Sequence, residues 1–353
     1  MKEKLENKKV RQSNFELLRI VCILMIISLH YFNASMGGAL DTKNIPDTHF
    51  NYYLVRLLES FCIVGVNCFI LITGYFMHKS EKIRIRKIID LIFVLLFYNI
   101  ALYILAIIFK LQNFDKESIN AFIKTLHSGG CWFIIIYILL YILTPFINIV
   151  IKNINQKQFK FLIIFMIIAF SVYPTFLSNT TVKDNGYGII NFIMLYLIGA
   201  YISIFGCNKR NIFIYFAIYV LMQLITYILS THKLVVLGAF VYNSIFNVIG
   251  AVALFTAFSK LKIQSNIINK LAKHTLGIYI IHVNIFIIPF IWQTMFRTNE
   301  FYKSKYLILN YAISVLSIFI IGLIIDIIRE KVANLTLKKL VKNNKIYNYE
   351  YKI

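Results

Sequence analysis

Ten apolar runs, most of them about 18 residues or longer, take up most of this 353-residue chain and leave no room for a soluble domain between them. They fall at roughly 15–35, 54–76, 88–109, 131–151, 160–178, 187–206, 212–230, 236–258, 274–294 and 306–328. Leu91 to Phe109 is nearly unbroken, whereas Asn191, Asn243 and Asn247 interrupt the sixth and eighth runs. With 59% hydrophobic residues and a mean hydropathy of +0.73, the composition excludes a soluble globular fold. The alternation that a closed β-barrel requires is absent. The expected fold is all-α: a polytopic membrane protein built as a bundle of about ten transmembrane helices.

The net charge of +22 would suggest nucleic acid in a soluble chain. Here the distribution of charge argues otherwise. With the N-terminus placed inside, the inner segments collect 26 of the 37 Lys and Arg residues and the outer loops nine. Cytoplasmic loops retain basic residues, so both termini are expected in the cytoplasm, the number of spans is expected to be even, and no nucleic-acid partner is expected. Residues 1–14 read as a basic cytoplasmic N-terminus, 15–328 as the membrane domain and 329–353 as a basic cytoplasmic tail. The basic start followed by an apolar run imitates a signal peptide. Glu16 and Arg19 interrupt it and no small-residue cleavage site follows, so it reads as an uncleaved first helix. The five cysteines, Cys22, Cys62, Cys68, Cys131 and Cys207, are odd in number and form no CxxC, which points away from a disulfide frame or a zinc site. No metal ligand set or bound cofactor is expected. Rich Lys, Tyr and Phe usage with little Ala is that of an AT-rich bacterial genome, which places the chain in a bacterial cytoplasmic membrane as a multi-pass protein.

Charged residues inside an apolar span are expensive and are functional candidates. The first run, Asn14 to Phe32, carries Glu16, Arg19 and His30. Eleven residues separate Arg19 from His30, so both project from one helix face, about 16 Å apart along the axis. His30 reads either as a histidine bonded to a neighbouring helix or lying near the outer interface, or as a base, since a neutral imidazole there can take a proton from a hydroxyl as it attacks an acyl carbonyl. Glu59, at a similar depth in the second run, is the candidate carboxylate to orient it, with Arg56 as the competing partner. Arg19 has its own structural alternative, an ion pair with Glu16 one turn back. The loop Lys79–Lys87 holds five basic residues in nine, which the positive-inside rule alone accounts for. The same residues make an anion cradle, with Arg84, Arg86 and Lys87 clamping phosphates beneath Arg19. Trp132 reads as a membrane anchor or a sugar platform, and Tyr137 and Tyr141 share a helix face at i, i+4. Tyr279 and His282 lie one turn apart near the bilayer midplane, where a histidine needs a partner, for which Tyr279 is the nearest candidate.

The stretch SNFELLRIVCILMIISLHYF resembles the first helix of the acyltransferase-3 family of integral membrane acyltransferases, whose Arg, ten residues, His pattern is matched by Arg19 and His30. GVNCFILITGYF, Gly65 to Phe76, is similar to the family's second-helix pattern, with Thr73 where Ser is usual. Arg84 and Lys87 stand where the family has an Arg-x-x-Arg pair, with Lys in the second place. CWFIIIYILLYILTP, YNSIFNVIGAVALFTAF and HTLGIYIIH resemble later helices.

This resemblance implies a ten-helix bundle that takes an acyl group, often acetyl, from cytoplasmic acyl-CoA and passes it to a hydroxyl of a cell-surface or lipid-linked glycan. It implies His30 as the essential base and Arg19, Arg84, Arg86 and Lys87 in acyl-CoA handling. Trp132, Tyr137, Tyr141, Tyr279 and His282 are then candidates for the acceptor pocket. The chain ends about 25 residues past the last run, so the acceptor is expected to arrive directly or through a partner protein. Two rivals share the many spans: a non-enzymatic transporter or flippase of a glycan-lipid, and a polysaccharide polymerase, which commonly needs a large Arg-rich outer loop not seen here.

Overall fold

The computed structural model describes residues 11–128, 131–177, 184–206, 211–232, 238–335, 344 and 346–353. Gly129 and Gly130, just before the CWFIIIYILLYILTP stretch, and Cys207 lie outside the described residues. The chain is mostly helical. In order, the elements are α1 (Ser13–Phe32), α2 (Phe50–Cys62), α3 (Gly65–Met77), β1 (Lys82–Arg84), α4 (Ile85–Ile108) and α5 (Lys116–Ser128). There follow α6 (Trp132–Asn153), α7 (Gln156–Ile167), α8 (Tyr173–Phe176), α9 (Ile189–Phe205), α10 (Ile212–His232) and α11 (Ile245–Ser259). The last are α12 (Asn266–Leu271), α13 (Thr275–His282), α14 (Thr298–Phe301), α15 (Leu307–Leu335) and β2 (Glu350–Lys352).

Among the described residues seven helical stretches are long and apolar enough to cross a membrane, and α9 and α11 are shorter apolar helices. This is the architecture of a polytopic membrane protein. Several single spans expected from sequence are broken. The second stretch, Phe50–Met77, has a joint at 63–64 between α2 and α3. The ninth run breaks after His282 and resumes as a π-helical turn at Phe290–Met295. Asn284 turns its side chain to the backbone N–H of Phe286 (3.1 Å) and to Asn99 (3.0 Å), which ends α13. Such a break survives in an apolar setting because protein buries and satisfies it. From Gly238 to Ser244 the eighth run is a loop whose Ala239 and Val241 carbonyls both accept from the Asn247 amide at 2.9 and 2.8 Å. Two short strands depart from the all-α expectation: β1 pairs antiparallel with β2. The last helix also runs to Leu335, past the expected end at 328.

Helix α1 lies against α2, α3, α11, α13 and α15. Its opening residues anchor it. The Asn14 amide donates to the Phe258 carbonyl (3.0 Å), and the Ser265 N–H donates to the Ser13 hydroxyl (2.9 Å). Phe15 packs among Tyr75, Phe76 and Phe255. The Gly-Tyr-Phe at the end of α3 has a packing reason as well. A Cβ on Gly74 would lie 2.1 Å from the Tyr196 carbonyl oxygen, and one on Gly199 would lie 2.2 Å from that of Leu71. Helices α3 and α9 therefore touch backbone to backbone, the small-residue packing that membrane helices favour. Gly74→Val is expected to destabilise the protein by about 3 kcal/mol, the upper end for overpacking because neither backbone can move aside. A lowered thermal unfolding temperature in detergent checks this.

Candidate active site

His30 lies in the last turn of α1, and α13 brings His282 to it. His30 Nδ1 and His282 Nε2 are 2.8 Å apart, with ring centroids 4.9 Å apart. The other nitrogen of His282, Nδ1, lies 2.7 Å from the Ile278 carbonyl oxygen. A carbonyl only accepts, so Nδ1 of His282 carries a proton. In a neutral imidazole Nε2 of His282 is then a lone-pair acceptor, and His30 must donate to it from Nδ1. This leaves Nε2 of His30 as the basic nitrogen, with no partner among the described residues. The chain of two imidazoles ending on a backbone carbonyl fixes the tautomer of His30.

A cavity of about 300 Å³ joins this histidine to Arg19. Both line it, along with Arg11, Lys273, Thr73, Trp132, Tyr137, Tyr242 and Tyr279. A second cavity of about 330 Å³ shares Leu91, Tyr137, Lys273 and Leu276 with the first and adds Lys87, Tyr141, Asp326 and Arg329. A third, of about 350 Å³, shares Lys87 and Asp90 with the second and adds Arg84 and Arg86. The three thus share walls in sequence from the basic loop to His30.

The first cavity carries excess positive charge at one end. Arg19 donates to both Glu16 oxygens (3.1 and 3.2 Å), and Arg11 lies 3.8 Å from the same carboxylate. Lys273 pairs with Glu330. Three cations thus face two carboxylates, which leaves an attraction for anions where Arg19 stays about one-third exposed. The far end is apolar and aromatic. Trp132 stacks edge-on against Tyr187 (4.5 Å) and lies near Tyr242 (5.9 Å).

Residues 12–328 match a family model described as an acyltransferase domain, nearly the whole chain. The chain belongs to the acyltransferase-3 family. No curated protein and no solved structure gives a match. In this membrane acyltransferase the motif residues quoted from sequence therefore have a physical setting, and some differ from expectation.

Arg19 pairs with Glu16, yet also lines the cavity, so the two readings of it coexist. Glu59 is not the residue that orients His30 in this acyltransferase. The Nδ1 it was expected to hold is bonded to His282, while Glu59 is buried, with one carboxylate oxygen unpartnered. Arg56, its other expected partner, lies over the Tyr52 ring at 3.5 Å. The partner of His282 is likewise not Tyr279, whose ring is 6.0 Å away edge-on, but His30 and the Ile278 carbonyl. Arg84, Arg86 and Lys87 do not share a cavity with Arg19; they line the adjoining ones. Arg84 is held by Glu350 (3.0 Å), Arg86 by Asp90 (3.7 Å), and Lys87 lies over the Tyr141 ring (5.2 Å). Tyr141 uses its hydroxyl to accept from the Arg84 N–H (2.9 Å), so it supports the loop, while Tyr137 lines both inner cavities.

Sequence reading missed Arg11, Lys273, Tyr242 and a buried network beneath the cavities. Asp326 accepts from Tyr98 (2.7 Å) and Arg329 (2.7 Å) and lies 2.7 Å from His274 Nδ1. A Cβ on Gly277 would lie 2.0 Å from its carboxylate, so only glycine lets α13 close on α15 here. The HTLG of the late motif thereby clamps the helix that presents His282. Asp326, the one charge in the otherwise apolar run 306–328, was the available signal.

Proposed function

We propose that this acyltransferase moves an acyl group, acetyl in the first instance, from cytoplasmic acyl-CoA to a hydroxyl of a cell-surface polysaccharide or lipid-linked glycan precursor at the bacterial cytoplasmic membrane. One observation carries the reading: a single cavity runs from a partly exposed Arg19 to a histidine whose Nδ1 is committed and whose Nε2 is left to act. The phosphorylated end of the donor rests on Arg19 with Arg11 and Lys273, and further out on Arg84, Arg86 and Lys87. Its thioester arm lies along α1 toward His30.

The acceptor hydroxyl gives its proton to His30 Nε2 as its oxygen bonds to the thioester carbonyl carbon. The carbon–sulfur bond then breaks, and the thiolate leaves as the thiol with that same proton. The products are the ester and free coenzyme A. His282 receives the hydrogen bond from His30 Nδ1–H, which strengthens while the first ring carries positive charge. Trp132, Tyr137 and Tyr279 offer the acceptor sugar a ring platform and hydroxyl donors. Holding donor and acceptor in one cavity supplies much of the acceleration.

Purified protein given radiolabelled acetyl-CoA tests the reading. Label is expected to pass to glycan acceptor, with coenzyme A released. Transport of a glycan-lipid with no acetyl-CoA turnover would instead favour a flippase. Arg19→Gln is expected to raise the KM for acetyl-CoA about 10-fold with kcat little changed, the low end for a charge-assisted contact because the side chain is part-solvated. Steady-state kinetics at saturating acceptor reads both constants.

A further inference from the structure

The C-terminal strand sits on the basic loop assigned above to the donor's phosphates. β2 runs antiparallel to β1 with Lys82 opposite Lys352, Ile83 opposite Tyr351 and Arg84 opposite Glu350. Glu350 places one oxygen 2.8 Å from Lys82 Nζ and the other 3.0 Å from Arg84 Nε. Tyr347 donates to Asp90 (2.8 Å), and its ring lies 5.3 Å from the Arg86 guanidinium. Residues 347–350 thus form one wall of the outermost cavity, and Arg84, Arg86 and Lys87 form the other.

A carboxylate placed across two cations occupies the position that a phosphate would take. Its hold is weak by construction. The pairing strands have three residues each, too few for independent stability, and the ion pairs are solvent-exposed. Lys82, hydrogen-bonded to it, keeps the Glu350 carboxyl below its usual range, so it stays charged at neutral pH.

We infer that the C-terminal strand is a displaceable cover of the donor site: Glu350 holds Lys82 and Arg84, and the polyphosphate end of an incoming acyl donor competes with it for them. This rests on the donor reading given above. A cover of this kind lowers the apparent affinity for donor by the fraction of molecules in which it is closed.

The test is coenzyme A binding by calorimetry to the full-length protein in nanodiscs. An Ile83→Cys, Tyr351→Cys pair lies opposite across the ladder, where Cα spacing suits a disulfide. The two single-cysteine variants control for oxidation. Locked by oxidation, the pair is expected to bind coenzyme A at least about 10-fold more weakly than the same protein reduced. Glu350→Gln, which needs no crosslink, is expected to bind about 3-fold more tightly than wild type. Equal affinity of oxidised and reduced protein, with no gain in Glu350→Gln, overturns the cover and leaves the donor reading intact. Absence of coenzyme A binding in wild type and every variant overturns both.

Discussion

His30→Ala is expected to lower acyl transfer by about 10²- to 10⁴-fold, the range for loss of a positioned general base, with expression and thermal stability matching wild type. The folding half of that expectation follows from the site. His30 lines a cavity and gives up one hydrogen bond, to His282. His282→Phe separates the two roles further. It keeps a ring in place but removes the acceptor for His30 Nδ1–H, so His30 is free to take either tautomer. A smaller loss, about 10-fold in kcat with the donor KM unchanged, is expected for a residue that positions the base through one hydrogen bond. Glycan O-acetylation measured at matched protein levels decides both. Retained activity in His30→Ala removes this residue from the chemistry.

Asp326→Ala has the largest expected effect on folding. Its carboxylate is 2% exposed and serves Tyr98, His274 and Arg329, which come from α4, the turn before α13, and α15. Taking the carboxylate away leaves Arg329, 13% exposed, without its counter-ion, and breaking a buried pair in this way costs about 3–5 kcal/mol. The ion pair itself does not make the protein stable by that amount, since desolvation offsets most of what it contributes. The loss comes from stranding the partner. Because α13 carries His282, activity falls together with the unfolding temperature. Thermal unfolding in detergent beside an activity assay tests this, and a full-strength unfolding transition would show that the clamp is dispensable.

Both predictions use residues that one-dimensional reading treats very differently. Arg19 and His30 were legible from spacing alone, because a helix of constant pitch converts eleven residues into one face without reference to the rest of the chain. The membrane class was equally legible, since hydropathy acts residue by residue over a run of sufficient length. Likewise the Glu16–Arg19 pair is a contact within one turn and needs no tertiary information.

The partner of His30 was not legible. His30 and His282 are separated by most of the chain, and Glu59 was the more natural carboxylate by depth and chemistry. Depth along a helix axis says nothing about azimuth relative to another helix, and only packing sets that angle. The same limit hid the Asp326 network, the role of Gly277 and the seating of Glu350 on Arg84. It also hid the break after His282, which depends on the Asn99 side chain meeting Asn284 from another helix. Sequence by itself determined which segments are apolar and which two side chains of the first helix share a face, because both follow from local periodicity and composition; the family followed from its motifs in order. Tertiary structure alone decided which nitrogen of His30 is left basic and what closes the basic loop, because both turn on hydrogen bonds between residues some 250 positions or more apart.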